Sequence, residues 1–461
     1  MNEIFSERGK AIAERELWVA VMKAQRDLGV DIPAEDIAKY EAARESVDLE
    51  LIRDIEQRTK HDVKARIEAF VREAGADEHI HRGMTSRDLT DNVEQMQIKK
   101  AAGVIFGKCV SILRHLTERA NDYRDVVLTA RTHHQPAQPT VLGRRFAMWG
   151  EELLGHLERF DSFVSDYPLR GLKGPVGTQS DLLALLGSAD KVQELEQRIA
   201  SGVGFANVLE APGQVYPRSL DYELVSRLAC LGSACENFAK GMRLMAGYEL
   251  VTEGFQEGQV GSSAMPHKMN TRSSERICGF AELLKMYAGG ASRIAGDQWE
   301  EGDVSCSVMR RVIIPDAFYS MDGLCETVLT VLNEMGAYPA MIEKELDRYL
   351  PFLATTEMLM LATKAGVGRE AAHEVIKKHA VSEALRLRNT GSGENRLAEL
   401  LAEDPVFSTA GIRSEDLSAV FSEVNHFVGR AKQQVDATCA RADALVRKHP
   451  QEASYEPRGI L

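Results

Sequence analysis

The 461-residue sequence is poor in aromatic residues, at 6%. It has no β-alternating run as long as its helical ones, while Ala, Leu, Glu and Arg are plentiful, a bias toward helix. There is no basic excess: the formal net charge is -13, which argues against a nucleic-acid surface. An anionic substrate therefore needs a local basic pocket set against the global field. No charged leader precedes an apolar stretch, and no apolar run is long enough to span a bilayer, so a soluble, cytoplasmic protein with no membrane partner is expected. None of the seven cysteines forms a CxxC pair, and their count is odd; buried free thiols in a reducing compartment are expected. The twelve histidines show no zinc spacing, so neither a metal nor a cofactor is expected.

What is present is helical periodicity. Leu17, Val21, Ala24 and Leu28 suggest an amphipathic first helix, followed by short helices to about residue 85. Leu89, Val93 and Met96, then Ile105, Cys109, Ile112 and Leu116, mark a long helix over 87–120, roughly 50 Å in length. Similar segments run over 140–165, 218–254, 272–297 and 306–335, and Pro315 should kink the last or mark its effective start. Five long helices argue for an elongated bundle. The expected organisation is all-α: a helical domain over 1–86, a long-helix bundle over 87–338 and a smaller helical domain over 339–461.

Chemistry-bearing residues concentrate in a few stretches. The densest spans 258–276, where Gly258 and Gly261 permit bending, Ser262 and Ser263 supply hydroxyls, and Lys268, Asn270 and Arg276 follow. A hydroxyl-bearing loop running into a cationic segment suits proton abstraction beside a carboxylate. Thr85 and Ser86, with Asp88 behind them, either cap the helix that follows or bind an anion at its start; both are compatible. Lys60-His61-Asp62 reads as surface or site. His133, between Thr132 and His134-Gln135-Pro136 in a proline-extended segment, is a candidate acid or base. Gln214 sits in a polar insertion, and Ser307, Arg310 and Arg311 follow a Trp-Glu-Glu-Gly-Asp run; the two arginines either make surface ion pairs or line a basic pocket.

The Gly-Ser-Ser-x-Met-Pro-x-Lys-x-Asn pattern at 261–270, the Thr-Ser-x-Asp run at 85–88 and the Thr-His-x-Gln-Pro-Ala run at 132–137 together resemble the aspartase/fumarase superfamily. Lys60-His61-Asp62, the Gln-Val-Tyr-Pro-Arg run from Gln214, and Ser307 with Arg311 point to its adenylosuccinate lyase branch. The resemblance implies an aspartase/fumarase-type fold: a homotetramer on a shared bundle, with composite sites drawn from three subunits. It implies release of fumarate from adenylosuccinate, and from the succinyl-carboxamide ribotide of purine synthesis. By resemblance Ser262 is the general base, His133 the general acid, Lys268 the cation that stabilises a serine alkoxide, and His61 a second active-site histidine flanked by Lys60 and Asp62. Thr85, Ser86, Ser263 and Asn270 resemble contacts to the succinyl carboxylates, and Gln214 an amide contact. Arg276, Ser307 and Arg311 resemble further substrate contacts, the last two to phosphate. The chain departs from the pattern in lacking an Arg-Tyr pair near its start, in Gly302 where some relatives carry an arginine, in Thr271 for proline, and in Lys60 for arginine.

Overall fold

The computed structural model describes residues 1–254, 265, 267–391, 393–422 and 424–460. Short helices open the chain: α1 (Asn2–Phe5), α2 (Glu7–Asp27), α3 (Ala34–Ala42), α4 (Leu49–Thr59) and α5 (Asp62–Ala74). The long helix α6 (Ser86–Asp122) follows, then strands β1 (Val127–Thr132) and β2 (Gln135–Val141), α7 (Leu142–Asp166), the shorter α8 (Ser180–Leu186) and α9 (Ala189–Gly202), and α10 (Ser219–Gly247). Next come β3 (Val251–Thr252), α11 (Arg272–Ile294), α12 (Ser307–Glu334) and β4 (Gly336–Ala337). The fold is all-α, as the periodicity implies; the strands form only two small antiparallel ladders among the described residues.

Side-chain pairs fix the direction of each long helix. Glu94 meets Arg310, Lys108 sits between Asp322 and Glu326, and Arg119 donates to the Leu332 carbonyl at 3.0 Å. Numbers rise together along both helices, so α6 and α12 run parallel. Asn237 on α10 reaches Glu152 on α7, and Arg227 reaches the Arg159 carbonyl, so those two are antiparallel. Lys285 on α11 bonds Glu236 on α10 at 2.6 Å, and Arg243 lies against Cys278, again antiparallel. Pro315 is accommodated inside α12, which runs continuously from Ser307. The starts of α6, α10 and α12 therefore share one end of the bundle. The other end holds the starts of α7 and α11 and the β1–β2 ladder.

One apolar cluster runs from Ile4 to Ala453 and includes Leu17, Val21, Ala24 and Leu28 of the first amphipathic helix. After β4 come α13 (Pro339–Leu353), α14 (Thr355–Lys364) and the 22-residue α15 (Arg369–Thr390). With α16 (Leu397–Glu403), α17 (Pro405–Thr409) and α18 (Ser414–Ser422) these carry a second cluster, from Met358 to Leu417. The chain then returns: Val435 and Cys439 of α19 (Ala431–Val446) pack into the main cluster, followed by α20 (Pro450–Ala453). Five cysteines are buried, but Cys230 is exposed and Cys278 half-buried, against the expectation that the thiols are buried. No described helix is long and apolar enough to cross a membrane.

Candidate active site

The candidate residues fall into two groups. The first surrounds the start of α6. The Thr85 amide donates to Asp88 Oδ2 at 2.8 Å, half of a capping arrangement. Asp88 is fully buried, and its Oδ1 accepts from Arg170 Nη1 at 2.6 Å and from the amides of Lys173 and Gly174. One carboxylate thus pins the glycine-rich loop near 170 against α6, and leaves Thr85 and Ser86 half-exposed at the helix start. Lys60 adopts a left-handed backbone (φ 56°) that ends α4. His61 then caps α5, its Nδ1 accepting from the Lys64 amide at 3.2 Å, while Asp62 Oδ1 accepts from the Val63 amide at 2.8 Å. His61 is exposed, and its Nε2 makes no hydrogen bond among the described residues. His81 lies nearby, also left-handed (φ 65°), with Trp18 Nε1 donating to its Nδ1 at 3.3 Å. Burial, aided by His61, holds its pKa below the ordinary imidazole value despite Asp88.

Gln214 and the start of α12 complete this group. The Gln214 amide donates to the Glu301 carbonyl at 2.6 Å. A Cβ on residue 302 would lie 2.6 Å from Gln214 Cβ, so this backbone geometry leaves no room for a side chain where some relatives carry arginine. Trp299, in the same turn, is 74% exposed. Ser307 opens α12 half-buried. Its neighbours Arg310 and Arg311 differ in burial, and among the described residues neither makes the surface ion pair that was one of the two readings. Arg310 is buried and holds Asp221 Oδ2 and Glu94 Oε2, each at 2.6 Å, as well as the Tyr216 hydroxyl. Arg311 is exposed and makes no ion pair among the described residues.

The second group lies at the opposite end. The segment read as merely extended is a β-hairpin. Thr132 pairs with Gln135, leaving His133 and His134 as a two-residue turn with both φ positive, 50° and 61°. His133 is exposed and makes no hydrogen bond among the described residues, whereas His134 Nε2 lies 3.0 Å from the Tyr248 hydroxyl. Lys268 is exposed, its amide donating to Met265 O at 3.0 Å, and Arg276 is in the exposed first turns of α11. Asn270 is half-buried. Glu253 bonds the amides of Ser273 and Ser274, each at 2.9 Å, so a residue before the signature loop is fastened to the helix after it. Ser262 and Ser263 lie outside the described residues, as do Gly258, Gly261 and Pro266.

The two groups are far apart. Asp221 contacts the network at the first end and Tyr248 the hairpin at the other, and the helical path between them is roughly 40 Å. One chain therefore cannot bring His61 or Thr85 to His133.

Two family models match the chain: one described as Lyase over residues 1–283, and one as Adenylosuccinate lyase C-terminus over 351–438. The chain is 34% identical to the adenylosuccinate lyase of Saccharomyces cerevisiae over 95% of its length and 90% of that protein. It is 29% identical to that of Methanothermobacter thermautotrophicus over 95% of each. The chain belongs to the adenylosuccinate lyase family. Among solved structures it resembles 3-carboxy-cis,cis-muconate lactonizing enzyme from Pseudomonas putida, with TM-score 0.81, 20% identity, and coverage of 96% of this chain and 97% of that one. Fumarate lyase from Mesorhizobium sp. BNC1 gives TM-score 0.80 at 22% identity, covering 95% and 97%. At these identities the likeness concerns the fold, that of the aspartase/fumarase superfamily.

Sequence reasoning missed the buried charges that hold this family member's first end together: Asp91 with Arg218 at 3.1 Å, and Glu94, Asp221 and Tyr216 around Arg310. A signal was available, because Asp88, Asp91 and Glu94 recur every third residue beside the apolar Leu89 and Val93, where an unpaired carboxylate is costly. Asp36, Asp77 and His79 also converge closely enough to hold a metal ion. Asp36 is already bonded by Lys39 and His79, and Arg82 Nη2 lies 2.7 Å from His79 Nδ1, so the Asp36 carboxylate and this imidazole have protein partners.

Proposed function

We propose that this family member is an adenylosuccinate lyase, acting on adenylosuccinate and on the succinyl-carboxamide ribotide. The observation that supports this most is the near-complete match to curated adenylosuccinate lyases from yeast and an archaeon, which spans both ends of the bundle. In the reaction a base removes the proton β to the amine nitrogen, and the electron pair is held in the adjacent carboxylate. The C–N bond then breaks, giving fumarate, and an acid protonates the departing nitrogen. Ser262 is the proposed base, its alkoxide stabilised by Lys268 and loop amides, and His133 the proposed acid. Thr85, Ser86, Ser263 and Asn270 would receive the carboxylates, where negative charge grows. Gln214, Arg276, Ser307 and Arg311 would hold the rest of the substrate, with His61, Lys60 and Asp62 beside it. No cofactor is needed for this chemistry.

The site is proposed to form only in a homotetramer. The roughly 40 Å between the two groups supports this, since neighbouring copies packed antiparallel would bring opposite ends together. Exposed apolar residues on α11 and α12, including Met286 (59%), Val308 (71%) and Val312 (55%), give such copies a surface to bury. A cytoplasmic setting fits the mainly buried thiols.

The test is fumarate release, with the accompanying absorbance change, on adding adenylosuccinate to pure protein. No fumarate from either substrate would overturn the reading. Mixing His61→Ala with His133→Ala protein after reversible dissociation should restore part of the activity, because some sites would then receive both wild-type residues. No recovery in verified mixed tetramers would count against shared sites.

A further inference from the structure

The two adjacent histidines do different work. A two-residue turn with both φ positive is ordinarily built from Asn-Gly or Gly-Gly, which adopt that backbone at little cost. Here His133 and His134 occupy it at 50° and 61°, so something outside the turn must hold it. Both strands of the hairpin pack on α13, and beside the turn an open pocket of about 470 Å³ is lined by Arg131, His134, Arg145, Trp149 and Tyr248.

Tyr248, the residue that ends α10, lines this pocket on the bundle side. Its hydroxyl meets His134 Nε2 at 3.0 Å. Its ring also carries the Arg131 guanidinium, 4.3 Å above the centroid, and Arg131 is ion-paired to Glu345 on α13. One tyrosine therefore contacts both the end of β1, through Arg131, and the tip of the hairpin, through His134. Both histidines are exposed, but His134 is tied back to its own bundle, while His133 makes no hydrogen bond among the described residues.

We infer that Tyr248, acting through His134, is a positioning residue that fixes the direction in which His133 is presented to the substrate. The inference rests on the reading of His133 as the acid. A displaced acid costs turnover more than binding, since its proton is delivered in the transition state.

The experiment is a set of variants of the full-length tetramer assayed with adenylosuccinate. Tyr248→Phe should lower kcat about tenfold or more with KM within about twofold and an unchanged melting temperature. His134→Phe should match it, and the double variant should be no worse than either alone. On a His133→Ala background, Tyr248→Phe should change nothing further. Wild-type kcat in both single variants, or an undiminished Tyr248→Phe effect on that background, would overturn the inference. If His133→Ala itself turned over normally, the acid assignment would fall, and this inference with it; a failure confined to the Tyr248 and His134 arms would leave that assignment standing.

Discussion

The two ends of the bundle are built on opposite principles. At the start of α6 and α12, charge is buried and paired: Asp88 with Arg170, Asp91 with Arg218, and Arg310 with Glu94 and Asp221. At the far end, His133 and Lys268 are exposed, and the hairpin tip is kept in a backbone that histidine seldom adopts. The first end spends its polar groups on holding loops and helices in register. The second has fewer such buried pairs, Arg131 with Glu345 among them, and leaves His133 and Lys268 in solvent, as the first leaves His61 and Arg311. An aligned carboxylate or guanidinium is therefore poor evidence of catalysis in this protein, and an exposed, strained imidazole is better evidence.

The sharpest way to break the contrast is Arg310→Met. It strands Asp221 and Glu94 without their cation, and the unfolding free energy should fall by about 3–5 kcal/mol, measured by urea denaturation. A loss below about 1 kcal/mol would show that the first end is not held by its buried charges. His133→Ala should do the reverse, lowering turnover at least about a hundredfold while leaving the urea midpoint in place; Ser262→Ala should cost as much in the same assay. His61→Asn sharpens the comparison, because asparagine is itself a good helix cap. Stability should hold within about 0.5 kcal/mol, while kcat falls on the order of tenfold to a hundredfold. If His61 only caps α5, steady-state kinetics will show no change.

The smallest effect concerns pH. Burial lowers the folded-state pKa of His81, so the unfolded chain takes up that proton first as pH falls below about 6.5. Its neutral state in the fold thus costs nothing above that value and erodes stability below it, by at most about 1.4 kcal/mol per pH unit. His81→Asn, which tolerates the left-handed backbone, should flatten the change in urea midpoint between pH 7.5 and 5.5 relative to wild type. An identical slope would place the sensitivity elsewhere.

Much of this architecture could be read from the sequence, because it is encoded locally. The run expected over 87–120 is α6 over Ser86–Asp122, and those over 272–297 and 306–335 are α11 and α12 within three residues at each end. The helix expected over 218–254 stops at Gly247, where Glu249 turns left-handed and the chain enters β3. The hairpin escaped notice because its turn lacks Asn-Gly and its second strand carries Pro136 and Pro139, which usually argue against a ladder. A two-stranded ladder has outer edges, and prolines are tolerated there. The partners of Arg310 escaped because they lie 89 and 216 residues away in sequence. The candidate residues themselves were legible as motifs, but their separation to opposite ends was not, since it follows from helix direction.

Trp299 has a use of its own. Two of the three tryptophans, Trp18 and Trp149, are buried, while Trp299 stands in solvent one turn from Gln214. Collisional quenchers will reach that indole first, so the chain carries a built-in fluorescent gauge of whatever comes to cover this end of the bundle.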